Sequence, residues 1–231
     1  MKFSFKLVVL SIILIALIAW YKFFLKDLPN EKINPDQLGT MELTKSNRDQ
    51  LRLPDFELTN FDGSVITQNS LKGKWSVLYF GYAHCPDVCP IDMLKLADMI
   101  KLLEEKKLAI PAVFFVTLDY RRDTPTFLRE YLPNFDKDFQ GLSEKPSEID
   151  KLVDFFNVRY GYSYYDKDDK PVSVKDYSNI PDYATEGYFV DHTDNFYVLD
   201  PDLIFRAYIG ANKDPQAMME DFSILYSSQE K

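Results

Sequence analysis

The chain has 231 residues, 46% of them hydrophobic and 15% aromatic, with a formal charge of −9. Such a composition suits one substantial folded domain, or two small ones, plus an appendage, and excludes a disordered or low-complexity chain. The first 26 residues hold Lys2, Lys6, Lys22 and Lys26 and no acid, so 23 basic and 36 acidic residues leave −13 on the remainder. That balance argues against a nucleic-acid partner, which wants a basic patch for phosphates. With only 2 Cys and 2 His, a disulfide framework and a four-cysteine zinc site are excluded.

Residues 1–6 form a short basic tail. Leu7 to Trp20 reads LVVLSIILIALIAW, in which Ser11 is the only polar residue. Tyr21 to Leu25 prolongs the stretch if Lys22 snorkels, to near the ~20 residues that span a bilayer. Residues 7–25 are therefore read as a transmembrane anchor or uncleaved signal. A cleaved signal peptide and a buried hydrophobic helix are the alternatives. Against cleavage, Ala16 and Ala19 make no small-x-small pair, and Trp20 follows them. Lysines on both sides nearly balance the positive-inside count. Either leading reading places the following domain outside the cytoplasm.

Residues 27–50 are polar and unpatterned, a tether or loosely docked arm, and residues 51–231 form the folded domain. Within it, PDFELTNFDGSVIT reads as two short strands turned at Asp62-Gly63, and NSLKGK as a brief helical turn. WSVLYFG (75–81) and AVFFVTL (112–118) are near-continuous apolar runs, as strands covered on both faces are. Between them, residues 89–107 have apolar side chains at three- and four-residue spacing, which predicts a helix. Thr124 caps a second helix with Pro125 in its first turn, and Ser147–Phe156 makes a third. Residues 162–185 read as a long exposed loop or irregular hairpin. Strands follow at 188–190, 196–199 and 203–209, then a helix over 214–226. The order predicts an α/β layered domain with a mixed sheet.

The chemistry lies in GYAHCPDVCP (81–90), between a buried strand and the best helix. A cysteine at a helix N-terminus meets unpaired N–H groups and the positive dipole end, which favour its thiolate. Cys85 and Cys89 are four apart, and in a helical turn such residues share one face. The pair suits a disulfide or two thiolate metal ligands; two ordinary buried cysteines is the plain alternative. His192 stands on the turn DHTDN between predicted strands, and alone it is weak evidence. Together, two thiolates and an imidazole make a soft three-ligand set suited to Cu(I), or to zinc with a water. Asp87 and Asp191 are candidate oxygen ligands or hydrogen-bond acceptors behind the ligands. His84 should diverge from the pair, acting on thiol acidity or at the surface. Asp119 and Arg122 end a buried strand, where α/β sites gather, so they are candidates to line the cysteine site; a helix cap with a salt bridge is the alternative.

GYAHCPDVCP, LDYRRDTP and YFVDHTDNFYVLDPD, in this order and spacing, resemble the SCO/SenC family of copper-binding assembly factors for cytochrome c oxidase, across residues 50–228. The resemblance implies a thioredoxin-like fold: a mixed central sheet flanked by helices, with an additional hairpin, behind the N-terminal membrane anchor. It implies Cys85, Cys89 and His192 as ligands of one copper per chain, Cu(I) and/or Cu(II), with Asp87, Asp119 and Asp191 supporting them. The implied role is a copper metallochaperone that loads, or prepares the thiols of, the oxidase's dinuclear copper site. The implied partner is the copper-bearing oxidase subunit or another periplasmic or intermembrane-space copper protein. The implied location is the inner membrane, with the domain facing the periplasm, or the intermembrane space if mitochondrial. Three departures stand out: Tyr120 where proline is frequent, Leu203 where glycine commonly follows DPD, and a longer, more acidic stretch from Gly161 to Glu186. Loops around a site are what a partner touches, so the departures bear on partner identity.

The rival from the enzyme class is a membrane-tethered thiol–disulfide oxidoreductase, in which Cys85 attacks and Cys89 resolves without obligatory metal. A peroxidase and a non-catalytic interaction module rank below it. His192 discriminates, because dithiol exchange does not need it and metal retention does.

Overall fold

The two apolar runs lie side by side at the centre of the molecule. In the computed structural model, which describes residues 41–43 and 51–227, they are parallel neighbours with Tyr79 opposite Phe115. Along the chain the strands are β1 (Met41–Leu43), β2 (Glu57–Asn60), β3 (Val65–Thr67), β4 (Ser76–Gly81), β5 (Ala112–Thr117) and β6 (Gln140–Ser143). They continue as β7 (Tyr160–Tyr165), β8 (Pro171–Val174), β9 (Phe189–His192), β10 (Asn195–Leu199) and β11 (Phe205–Gly210). The helices are α1 (Gln68–Leu71), α2 (Val88–Glu105), α3 (Pro125–Tyr131), α4 (Pro146–Phe156) and α5 (Pro215–Ser227).

An eight-stranded sheet runs β1-β11-β10-β4-β5-β6-β2-β3, and a separate three-stranded sheet runs β8-β7-β9. β4, β5 and β6 are parallel, and the remaining pairs are antiparallel, so the main sheet is mixed. Side chains alternate across β4 as strand geometry demands. Tyr79 meets Asp92 of α2 on one face, and Trp75 on that face meets Tyr226 of α5 at 5.1 Å. Phe80 points the other way, onto Phe156 of α4 at 5.8 Å. All six residues of β4 are buried, which is why the sequence there lacks polar alternation. The arrangement is thioredoxin-like, a mixed sheet flanked by helices on both faces.

Several elements differ from the sequence reading. Met41–Leu43, inside the segment read as tether or docked arm, is an edge strand on β11, with Met41 opposite Ile209. β6 reads QGLS, too short and mixed to show a period; parallel pairing to β5 places it. The stretch read as a loop or irregular hairpin is the regular hairpin β7–β8 followed by two short 3-10 turns. The anchor read at residues 7–25 and most of the segment 27–50 lie outside the described residues; among those described, no helix is long and apolar enough to cross a membrane.

Leu203 has φ +64° in the Asp200–Leu203 turn and is 5% exposed. The backbone there is left-handed, where glycine is the default residue. The buried leucyl side chain offsets that strain by filling the core.

Candidate metal centre

β4 ends on Gly81, whose missing side chain makes room for a thiol. A Cβ there would sit 2.7 Å from the Tyr79 ring and 3.3 Å from Cys89 Sγ. The chain then turns, Cys85 N donating to Tyr82 O at 3.2 Å, and α2 starts at Val88. Cys85 therefore precedes the helix, and Cys89 is its second residue. The expectation that both occupy one helical turn fails. A loop, not a helical face, brings Cys85 to Cys89.

Both thiols are free and buried. A hydrogen bond from the Cys89 thiol holds the Cys85 thiol well below the ordinary thiol range, against the opposing effect of burial. The backbone N–H groups of Cys89 and Asp87 and the Tyr82 hydroxyl add to it. Cys89 is pushed up by the same hydrogen bond and by its own burial. The pair is thus asymmetric, with Cys85 the more acidic. Cys89 is 0% exposed and Cys85 8%, so the acidic sulfur is also the more accessible one.

His192 is the last residue of β9 rather than part of the predicted turn. The turn joins the small sheet to β10 of the large one, so the imidazole reaches the cysteines from a different sheet. His192 Nε2 lies 3.3 Å from Cys89 Sγ, and Nδ1 lies 3.1 Å from Thr193 O. A carbonyl only accepts, so Nδ1 donates to it and Nε2 is the ring nitrogen that faces sulfur. Tyr79 and Tyr82 stand edge-on to the imidazole at 6.1 and 6.2 Å, framing it from two sides.

The strand-end acids act behind this centre. Asp119 is buried; it accepts from Arg122 Nε and from the Tyr188 hydroxyl, both at 2.5 Å. Arg122 Nη1 donates to Tyr188 O at 3.0 Å, and its guanidinium lies 3.6 Å over the Tyr188 ring. Neither Asp119 nor Arg122 lines the cleft beside the cysteines; together they clamp the chain entering β9, and so hold the strand that carries His192. Asp87 and Asp191 do line the cleft, with Asp194. His84 diverges as expected. Its Nδ1 is 2.7 Å from Asp123 Oδ1, and its ring stacks on Phe127 at 4.1 Å.

Asp123 is a residue of the site's framework that sequence reasoning missed. It is fully buried and also accepts from Ala83 N at 2.6 Å and Thr117 Oγ1 at 2.5 Å, stapling the cysteine loop to the end of β5. The cap reading of its neighbour is right, since Phe127 N donates to Thr124 Oγ1 at 3.2 Å. An aspartate beside a helix cap carries no signal that it turns inward. Tyr79, whose hydroxyl donates to buried Asp92 at 2.8 Å, was masked by its place in an apolar run.

Cys85 and His192 face an open cleft of about 540 Å³ whose walls include Val88 and Phe189. Among the described residues, no group of three or more His, Cys, Asp or Glu stands at metal-holding spacing. The donor set nonetheless fits a soft ion: two sulfurs, one of them acidic, and an imidazole nitrogen directed at them. The Cys89–His192 contact is a hydrogen-bond distance. Bonds of about 2.3 Å to sulfur and 2.0 Å to nitrogen, as zinc makes, separate two such donors by roughly 3.6 Å, so this pair needs only a small opening to share an ion.

The SCO1/SenC family matches residues 44–226, which include the cysteine loop, Asp123 and His192. The chain belongs to this family. It is 32% identical over 166 residues to an SCO2-like protein of Rickettsia conorii, covering 72% of this chain and 73% of that one. Over 165 residues it is 34% identical to the mitochondrial protein SCO2 of Saccharomyces cerevisiae, covering 71% of this chain and 50% of the yeast protein. Among solved structures, Arabidopsis thaliana ScoI with copper bound is similar at 30% identity and a TM-score of 0.63, over 78% of this chain and 99% of that one. Family membership accounts for the signature segments that carried the resemblance.

Proposed function

We propose that this chain is a membrane-tethered copper metallochaperone of cytochrome c oxidase assembly, binding one copper through Cys85, Cys89 and His192. The observation that carries the reading is the convergence of two free thiols and one imidazole, with Cys85 and His192 facing one open cleft and Cys89 buried behind them. The copper-bound Arabidopsis relative supports it. Copper is the cargo. Thiolates bind Cu(I) strongly, and three donors leave an approach for an incoming ligand, so the ion passes to a partner without ever being naked. A disulfide offers no thiolate, so the oxidised pair releases its hold. Asp87 and Asp191 stand on the rim as acceptors for ligand or partner groups, while Asp119 acts at a distance by holding β9. The recipient is the copper-bearing oxidase subunit or another copper protein of the same compartment. The polar stretch before β1 tethers the domain at the inner membrane, on the periplasmic or intermembrane-space side.

Metal analysis and thiol titration of the reduced and oxidised protein test this. One copper per reduced chain, lost on oxidation, is the expected result. Equal loading in both states rules out thiolate ligation.

A second reading has an observation in its favour. An acidic, more accessible Cys85 beside a buried, less acidic Cys89 is the division between an attacking and a resolving thiol. Thiol–disulfide exchange with a partner's oxidised copper site uses the same pair before metal is loaded.

A further inference from the structure

Helix α2 is amphipathic in an unusual way. Its inner face, from Cys89 through Met93, Leu96 and Leu103, is buried. Its outer face changes character along the helix. Val88, Ile91 and Leu94 are apolar and 49%, 47% and 52% exposed, whereas the outer positions that follow, Asp98, Lys101 and Glu104, are charged. Water-facing positions of a surface helix are ordinarily polar along their whole length. The apolar patch is confined to the end that carries the cysteines.

The opposite wall of the cleft repeats the pattern. Ser163 is in register with Phe189, and Gly161 with Asp191, so by strand alternation Ser163, Tyr165, Phe189 and Asp191 share one face of the small sheet. Tyr162 and Val190, on the other face, are buried. Phe189 is 37% and Tyr165 53% exposed, and their rings meet edge-on at 6.4 Å. Val88 and Phe189 both line the cleft, as do Cys85 and His192. A copper ion or a small chelate has no use for apolar walls of this extent; a protein face does.

We propose that these two exposed apolar faces are the dock for the protein that exchanges copper with this chain, a domain whose contact face has an apolar centre and a cationic rim. The inference rests on the copper reading above. Charge selects the occupant. Asp87, Asp191 and Asp194 line the cleft, and no Lys or Arg does. A second copy would bring the same carboxylates against their like across an isologous contact, on a body already carrying net negative charge. A cationic rim is drawn in instead, and the apolar faces then exclude water around the transferring ion.

The test uses the full chain in detergent, loaded with Cu(I), and two acceptors: the purified copper-bearing domain of the oxidase subunit, and a small-molecule Cu(I) chelator. The variants are I91S/L94S and F189S, which alter exposed side chains outside the proposed ligand set. Copper content and transfer to the chelator are expected to be unchanged. Transfer to the oxidase domain, at subsaturating acceptor, is expected to slow by about tenfold in each variant, the loss typical of a central contact residue. For the unaltered chain that rate is expected to fall as salt rises. An unchanged rate to the domain in both variants overturns the docking surface while leaving the copper reading intact. Failure of the unaltered, copper-loaded chain to pass copper to the domain overturns the recipient, and the docking inference with it. A dimer of the unaltered chain that the same substitutions dissociate assigns the patch to a second copy and overturns the proposal.

Discussion

Cys89 Sγ and His192 Nε2 are 3.3 Å apart in space and 103 residues apart in sequence. Their contact joins the start of α2 to the end of β9, and so fastens the small sheet to the main one at the proposed copper centre.

Replacing His192 with Ala removes the only nitrogen donor facing the two sulfurs among the described residues. Copper affinity is expected to fall by more than about 100-fold, beyond the loss usual for a supporting group. Competition against a chelator of known affinity measures it, with circular dichroism as the check on folding. Unchanged affinity would show that the imidazole is not a ligand.

Thiol acidity gives the second prediction. Cys85 is held down by the Cys89 thiol first of all, so it stays deprotonated as pH falls below the ordinary thiol range. Alkylation of the metal-free protein should therefore remain fast below that range at Cys85 and stay slow at Cys89. In Cys89→Ala the donor is gone, and the midpoint for Cys85 should move upward in pH. Mass-resolved alkylation rates against pH report both; a midpoint that stays in place refutes the assigned cause.

Asp123→Ala leaves Ala83 N–H, the Thr117 hydroxyl and His84 Nδ1 without their shared acceptor. The expected loss is about 3 kcal/mol, in line with orphaning two buried groups, Ala83 N–H and the Thr117 hydroxyl. Denaturant unfolding measures it. Asp123→Asn keeps an acceptor and should lose less.

At Leu203 two effects oppose each other. Glycine relieves left-handed strain of about 1–2 kcal/mol, and emptying a buried leucine site costs about 2–5 kcal/mol. Leu203→Gly should therefore be less stable than the natural chain, and Leu203→Ala less stable still, since it loses the side chain and keeps the strain. Thermal unfolding of the two variants gives the order. A glycine variant more stable than the natural chain would show that the leucine fills little.

Much of the fold was legible because burial and periodicity are local. β4 and β5 announced themselves as uninterrupted apolar runs, and α2 by its spacing. β6 did not, because QGLS has no pattern of its own and exists as a strand only through its pairing with β5. Likewise β1 is three residues set by their register on β11. At the site, the two cysteines were visible from their scarcity and His192 only through the company it keeps. Asp123 and Tyr79 were invisible, because hydrogen bonds across sheet and loop leave no spacing to read.

The sequence by itself determined the inventory: two thiols, two imidazoles, a mixed α/β core and an apolar N-terminal stretch. It also carried the three segments that mark the family. Only the tertiary structure decided how His192 reaches the thiols, which thiol is the acid, and that Asp119 braces a strand rather than lining the cleft. The physical reason is range. Apolar periodicity is set within a few residues along the chain, whereas a ligand's reach depends on a segment about a hundred residues away, and a thiol's acidity on how its own loop folds back on it and buries it.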